Sequence, residues 1–244
     1  MRFAVVGDES VAAAIRAAGA DVVSSDETAT ADAVVAVGES SLSDAVLDSP
    51  WDAPVVPVDC SMPWSTPRRH LEDAVASIRA GERRVVDHPI LSVSVDGDHA
   101  GRALFDAMLV TSEPAHISEY GVAHARSEHA VSPDHDDLTD ADEWVPVDEF
   151  RADGVVVATP LGSTGYARAA GGSVVGPDAG VAVVPVSPYA TRTDTWVFQP
   201  PLRLTVERDD APVSLVIDDD VVREVPPFEP VLVTVDGTAQ LLLD

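Results

Sequence analysis

RADGVVVATPLGSTGYARAAGG, residues 151–172, is the stretch on which the reading of this chain turns. An apolar run, Val155–Ala158, enters a bend of Thr, Pro, Gly and Ser. A small-residue helix start and a Gly171-Gly172 stop follow. Backbone N–H groups and hydroxyls gathered at a strand-to-helix turn are what a ribose or phosphate needs. Tyr166 adds a flat face for a base. Spacing alone leaves two readings open, a nucleotide-holding turn or a glycine-rich β-to-α connection with no ligand.

Upstream, residues 2–6 (RFAVV), a Gly7-Asp8-Glu9-Ser10 turn, the helix VAAAIRAAGA with its stop at Gly19, and DVV form a β-α-β unit, the start of a parallel sheet. Further strands are expected at 32–37 (DAVVAV) and 54–58 (PVVPV), with a helix in HLEDAVASIRAGERR that buries Leu71, Ala74, Val75 and Ile78. From about residue 85 short alternating runs follow one another: VVDHPILSVSVDG, ALFDAMLV, ISEYGVAHARSE, GVVVATP, SVVGP, GVAVVPVSP, TWVFQ, LRLTVERDD, VSLVIDDD and PVLVTVDGTAQLLL. Gly, Pro or Asp turns between them signal an antiparallel β domain. The expectation is an α/β N-terminal domain (1–84, parallel sheet with helices) followed by a C-terminal antiparallel β-sandwich domain (85–244), whose last strand returns to the first. The polar stretch between His124 and Trp144 reads as a loop or exposed hairpin.

The 244 residues carry 15 Lys+Arg against 42 Asp+Glu, a formal net charge of −27, with 45% hydrophobic residues, so the chain is globular but strongly acidic. Every basic residue is arginine, because the chain has no lysine, and it has no asparagine either. A Walker A loop and Schiff-base chemistry both need a Lys and are excluded. The charge opposes nucleic acid and anionic membranes. At molar salt the screening length falls to about 3 Å and self-repulsion fades, so the acidity reads as adaptation to a salt-saturated cytoplasm, as in halophilic archaea. Cys60 is alone, so no intrachain disulfide forms. MRFAVVGDES has no long apolar run of the signal-peptide kind, and the expected location is cytoplasmic.

Asp153-Gly154, Thr159-Pro160-x-Gly162-Ser163-Thr164-x-Tyr166 and Ala170-Gly171-Gly172 resemble the dinucleotide-site signature of the NAD kinase family, the ATP- or polyphosphate-dependent NAD kinases. Gly176-Pro177 and PVSPYATR (185–192) resemble the stretch that follows it. Arg203 to Ile217 resembles the family's next hairpin, ALFDAMLV its Asn-acid strand and AVVAVGESSL its Gly-Gly-Asp-Gly-Thr segment. The resemblance implies an α/β domain plus a β-sandwich, dimers or tetramers, and an active site between the domains. It also implies transfer of a phosphoryl group from ATP or polyphosphate, with Mg²⁺, to the 2′-hydroxyl of the NAD adenosine ribose. In the family an aspartate deprotonates that hydroxyl and glycine amides cradle the donor phosphates, a reaction of positioning and electrostatics. Carried over, Thr164, Gly165, Tyr166, Ala169 and Ser187 line the NAD pocket. Asp153 hydrogen-bonds the dinucleotide with Arg151 beside it, and Phe105-Asp106 stand at the Asn-acid pair. On the residues alone, Asp153-Gly154 is equally a turn and Arg151 a solvated charge.

The departures fall on the chemistry. Gly-Gly-Asp-Gly-Thr appears as Val37-Gly38-Glu39-Ser40-Ser41, so Glu39 stands at the catalytic carboxylate and Gly38, Ser40 and Ser41 at the donor phosphates. One extra methylene moves a carboxylate by about 1 Å, a misplacement that can cost about 10²-fold in rate. Phe105 replaces the family's amide, Leu161 a smaller polar residue, and Asp218-Asp219-Asp220 an Asp-Gly turn. The reading is therefore an NAD kinase-like phosphotransferase. Its alternatives are a non-catalytic or redirected relative that binds a dinucleotide or nucleoside, and a kinase of another small hydroxyl compound, since Phe105 enlarges the apolar part of the acceptor site. His116, His124, His129 and His135 beside Asp134, Asp136 and Asp137 fit no regular zinc spacing, and no metal site is expected. Gly7-Asp8-Glu9-Ser10 reads as a helix N-cap, and Asp96-Gly97 and Asp236-Gly237 as hairpin turns.

Overall fold

Short β-branched runs bounded by small-residue helices build the first part of the chain. The computed structural model describes residues 1–23, 30–48, 53–113, 116–126, 144–191, 193–209 and 211–243. They divide into two units, Met1–His88 with Thr238–Asp244, and Pro89–Gly237.

In the first unit β1 (Arg2–Val6), β2 (Asp21–Val22), β3 (Ala33–Val37) and β4 (Val55–Val58) lie side by side in the order β2-β1-β3-β4, all parallel. β3 is apolar throughout, as a strand covered on both faces must be. Helices α1 (Ala12–Ala17), α2 (Glu39–Ser43, continued by a π-helical turn Asp44–Asp48) and α3 (Leu71–Arg79) connect the strands. α3 buries Leu71, Ala74, Val75 and Ile78, the stripe expected from their spacing. They pack with Phe3, Ile15, Val35 and Val56 into one core. Residues 238–243 return to this unit, where Leu241 pairs with Val55 of β4 and Leu242 enters the core.

The second unit is an antiparallel sandwich. One sheet has the order β12-β11-β10-β7-β14-β15, formed by β7 (Asp106–Thr111), β10 (Gly154–Ala158), β11 (Val181–Val186), β12 (Trp196–Phe198), β14 (Val213–Ile217) and β15 (Asp220–Glu224). The other holds β5 (Arg84–Val95), β6 (Asp98–Ala103), β8 (Ser118–Ala125), β9 (Trp144–Ala152), β13 (Leu202–Arg208) and β16 (Val231–Leu243). Alternate residues of both sheets meet in the interior, among them Val93, Leu109, Tyr120, Val157, Val183, Leu204 and Leu215. The opposite face of β10 and β11 carries Val156, Ala158, Ala182 and Val184, which are covered by Ala167 of α4 (Tyr166–Ala169) and by Val175. No helix among the described residues is long and apolar enough to cross a membrane.

Four local readings change. ALFDAMLV is broken, because β6 ends at Ala103 and β7 begins at Asp106. SVVGP is irregular backbone rather than a strand, its Val175 plugging the cluster under α4. Asp236-Gly237 reverses nothing, since β16 runs unbroken and Gly237, at φ +83°, bends it where the chain passes between units. Strand β9, which begins at Trp144 where the stretch read as a loop ends, is not among the expected runs; its Pro146, Asp148 and Glu149 are exposed on the sheet's edge, which is how an edge strand resists further pairing. Residues 127–143 of that stretch lie outside the described residues.

Candidate active site

The turn after β10 is built by close backbone approach. Asp106, Ala158 and Ala182 stand opposite one another across β7, β10 and β11, so they share the sheet face over which α4 lies. Thr159, fully buried, donates its N–H to the carbonyl of Phe105 at 2.8 Å. Its hydroxyl is shared between the carbonyls of Leu104 (2.8 Å) and Phe105 (3.0 Å) and accepts the Gly162 N–H at 3.2 Å. A side chain at Gly162 would collide with the Phe105 carbonyl, so only glycine brings the turn this close. Ser163, also fully buried, donates to the Pro160 carbonyl (2.8 Å) and accepts from the Val175 N–H (2.9 Å). The Thr164 hydroxyl donates to the Leu161 carbonyl at 2.9 Å.

The hydroxyls expected to serve a ligand thus hold the turn together, and the open face is left to Gly165, Tyr166 and Ala169, all exposed. Phe105 is half-buried beside the turn, and Asp106 is buried. Burial first, then the neighbouring carboxylates of Asp218 and Asp219, push the Asp106 carboxyl up to about 7.

Arg151, Asp153 and Ser187 gather at the other end of β10, a five-residue strand about 17 Å long. Asp153 donates its N–H to Val186 at 2.9 Å and accepts the Thr111 N–H at 2.8 Å. The Arg151 carbonyl accepts the Tyr189 N–H at 2.9 Å, and the Arg151 guanidinium lies over the Tyr189 ring at 5.5 Å. Ser187 is exposed at φ +48°. A cavity of about 570 Å³ opens here between Arg151, Tyr189, Glu119 and Asp194. The residues expected around one dinucleotide therefore form two groups on the second unit: Phe105, Asp106, Thr164, Gly165, Tyr166 and Ala169 in one, and Arg151, Asp153 and Ser187 in the other.

In the first unit the loops after β1, β3 and β4 stand at the carboxyl ends of a parallel sheet whose order reverses between β1 and β3, the position where such sheets bind ligands. Gly38, at φ +85°, faces open space and donates its N–H to the Val58 carbonyl at 2.8 Å. Glu39 and Ser40 are exposed, and Glu39 Oε1 accepts the Ser61 N–H at 3.1 Å. Ser41 packs against Gly7. Arg68 joins the loops that flank this one, through Nη1 to Asp8 Oδ2 at 2.6 Å and Nε to Asp59 Oδ2 at 3.0 Å. Asp8 caps the short helix after β1 through the Ser10 N–H, as expected of an N-cap; the Ser10 amide and hydroxyl, then Arg68, hold its carboxyl down at about 2. Burial raises the Cys60 thiol to about 11, which makes it a packed thiol and no nucleophile.

His116 lies 3.3 Å from Glu113, and His124 stacks on Phe198. His129, His135, Asp134, Asp136 and Asp137 are outside the described residues. Among the described residues no three His, Cys, Asp or Glu side chains group as a metal site. Sequence reasoning missed Arg68 and treated Asp218 only as a turn residue, although three consecutive acids, Asp218 to Asp220, at a hairpin turn were a visible signal.

Residues 141–239 match the family model of the ATP-NAD kinase C-terminal domain. The NAD kinase of Methanoculleus marisnigri is 36% identical over 131 residues, 52% of this chain and 42% of that protein. The NAD kinase of Methanosarcina acetivorans is 44% identical over 75 residues, 30% of this chain and 27% of that protein. The chain spans less than half the length of these curated relatives. Among solved structures, an NAD kinase from Archaeoglobus fulgidus in complex with ATP superposes with a TM-score of 0.69 at 20% identity, covering 99% of this chain and 93% of that one. Yeast NADH kinase complexed with NADH superposes with a TM-score of 0.72 at 12% identity, covering 100% and 83%. At those identities the likeness is one of fold: an α/β domain followed by a β-sandwich, as the sequence implied.

Proposed function

We propose that this chain, whose residues 141–239 match the model of the ATP-NAD kinase C-terminal domain, is an NAD kinase-like phosphotransferase that makes NADP from NAD. The observation that carries the reading is the Thr159–Tyr166 turn, fixed on the Phe105 carbonyl and leaving Gly165 and Tyr166 open beside the buried Asp106. Phe105, Asp106, Thr164, Gly165, Tyr166 and Ala169 hold the adenosine end of the acceptor. Arg151, Asp153 and Ser187, at the far end of β10, hold its other end or serve the site of a second copy in a homodimer or homotetramer.

The donor, ATP or polyphosphate, lies on the loop Gly38–Ser41, whose glycine faces open space and whose two serines offer hydroxyls. Mg²⁺ comes with the donor phosphates and offsets their charge. Glu39, steadied by the Ser61 N–H, takes the proton of the ribose 2′-hydroxyl while that oxygen bonds to the transferred phosphorus. The bond to the donor's bridging oxygen breaks in the same event, and the electron pair leaves with the shortened donor. The setting proposed for the reaction is the cytoplasm.

The test is NADP⁺ formation by the purified protein in molar KCl with NAD⁺, Mg²⁺ and either ATP or polyphosphate, alongside calorimetric titration of NAD⁺. Turnover that falls by about 10²–10⁴-fold in Glu39→Gln with NAD⁺ affinity kept supports the reading. Binding without turnover replaces it with a redirected dinucleotide-binding protein, and neither signal from a folded sample removes it.

A further inference from the structure

We infer that Asp218 is a positioning residue for the acceptor, the peg on which the backbone of Leu104–Asp106, and through it the Thr159–Tyr166 turn, is hung. The inference rests on reading that turn as the acceptor site. Asp218 opens the turn between β14 and β15 at φ +51°, a left-handed conformation that aspartate tolerates better than most residues. From there its carboxylate reaches the gap between β6 and β7. Oδ2 accepts the Leu104 N–H at 3.1 Å, and Oδ1 accepts those of Phe105 (2.8 Å) and Asp106 (3.0 Å). The Asp218 N–H in turn donates to the Asp106 carbonyl at 2.8 Å.

Three consecutive amides on one carboxylate aim the Leu104 and Phe105 carbonyls at Thr159. Thr159 then holds Gly162, and Gly162 sets where Thr164, Gly165 and Tyr166 stand. One side chain thus fixes both the carboxyl of Asp106 and the turn facing it. Hydrogen bonds to an ionised acceptor are about twice as strong as neutral ones, which suits a residue that must hold three donors in a break between strands.

The same arrangement governs the charge of Asp106. Asp218 and Asp219 face it from the β14–β15 turn, while β10 offers Ala158 and the Thr159–Gly165 segment carries no titratable side chain. α4, over the same sheet face, carries Tyr166 and Arg168, both exposed. Burial raises the Asp218 carboxyl while its three amides pull it down and favour its ionised form. Asp106 then keeps its proton up to about 7 and can donate it to a ligand oxygen or ring nitrogen.

The test needs no assumption about turnover. In the wild type at neutral pH the amides of Leu104, Phe105 and Asp106 exchange slowly with solvent, the Asp106 carboxyl titrates near 7 by carbon NMR, and NAD⁺ affinity falls above that pH. Asp218→Asn keeps the shape but loses the charge and one acceptor. It lowers the Asp106 titration by about one pH unit and weakens NAD⁺ about tenfold even at pH 5. Asp219→Asn, which removes a charge but no peg, shifts the titration and leaves affinity at pH 5 intact.

Fast exchange of the three amides in the wild type overturns the inference without any variant. So does an Asp218→Asn protein that binds NAD⁺ as the wild type does at every pH. If the amides are slow and Asp106 titrates near 7 while NAD⁺ binds at no pH, the peg stands and the dinucleotide reading falls.

Discussion

The Thr159–Thr164 turn of the second unit and the Gly38–Ser41 loop of the first, proposed above as acceptor turn and donor loop, are held in opposite ways. Between Thr159 and Thr164 every hydroxyl has an internal partner, Thr159 and Ser163 are fully buried, and Gly162 rests against a carbonyl. Between Gly38 and Ser41 the glycine looks into empty space, Glu39 and Ser40 are exposed, and the Ser61 amide steadies Glu39. A substitution in the turn is felt by the fold before it is felt by any ligand. In the loop the fold asks little, so a changed residue acts on the chemistry. On the proposed reading, that asymmetry lets the loop's sequence vary more freely than the turn's.

Adding one methyl group to each region breaks or sharpens this contrast. Gly162→Ala forces a carbon onto the Phe105 carbonyl, which sits in the same gap that Asp218 grips, so neither side can retreat. The expected cost is about 4 kcal/mol or more, at the upper end for a single substitution. Denaturant unfolding in molar KCl would read it, and a loss under 1 kcal/mol would mean the turn is slack.

How much of this was legible follows the same division. The parallel strands and α3 could be read because β3 is apolar throughout and Leu71, Ala74, Val75 and Ile78 recur at helical spacing. The strand-turn-helix of residues 154–169 was visible for the same reason. β9 was hidden because an edge strand carries the charges and proline that sequence patterns assign to loops. Asp236-Gly237 misled because a positive-φ glycine marks a bend, and only the partner strands decide whether the chain reverses. Asp218 acts on residues more than a hundred positions away, a relation with no local signature. Nor does the sequence show that one list of site residues separates to the two ends of β10.

Asp106 supplies the next test, because its burial makes the turn's rigidity depend on pH. Its carboxyl titrates near 3.8 when unfolded and near 7 when folded, so the folded state holds the proton more tightly. Stability contributed by the protonated form is fully present below about pH 4, declines as pH rises through 7, and is absent above. That interval corresponds to about 4 kcal/mol, less about 1 kcal/mol for the amide that an asparagine would leave poorly paired. Asp106→Asn is therefore expected to be about 3 kcal/mol more stable than the wild type at pH 8 and about 1 kcal/mol less stable at pH 4. Asp218, also raised by burial, pulls the wild type the same way, so the variant rather than the pH curve alone carries the comparison. Equal unfolding midpoints at pH 8 would show Asp106 to be solvated and the site open.

The smallest effect is expected at Gly38, and it is the other half of the contrast. A methyl group there meets nothing within 4 Å, so the only penalty is the backbone, which at φ +85° and ψ 164° lies in a region essentially reserved for glycine. For alanine that costs about 2 kcal/mol. Gly38→Ala should thus lower stability by about that amount, about half of the loss at Gly162, while NAD⁺ affinity stays unchanged and the KM for the phosphate donor rises. A larger loss of stability would mean that the donor loop is as tightly determined as the turn. Glu39 and Ser40 would then be constrained by the fold as well as by the chemistry proposed for them.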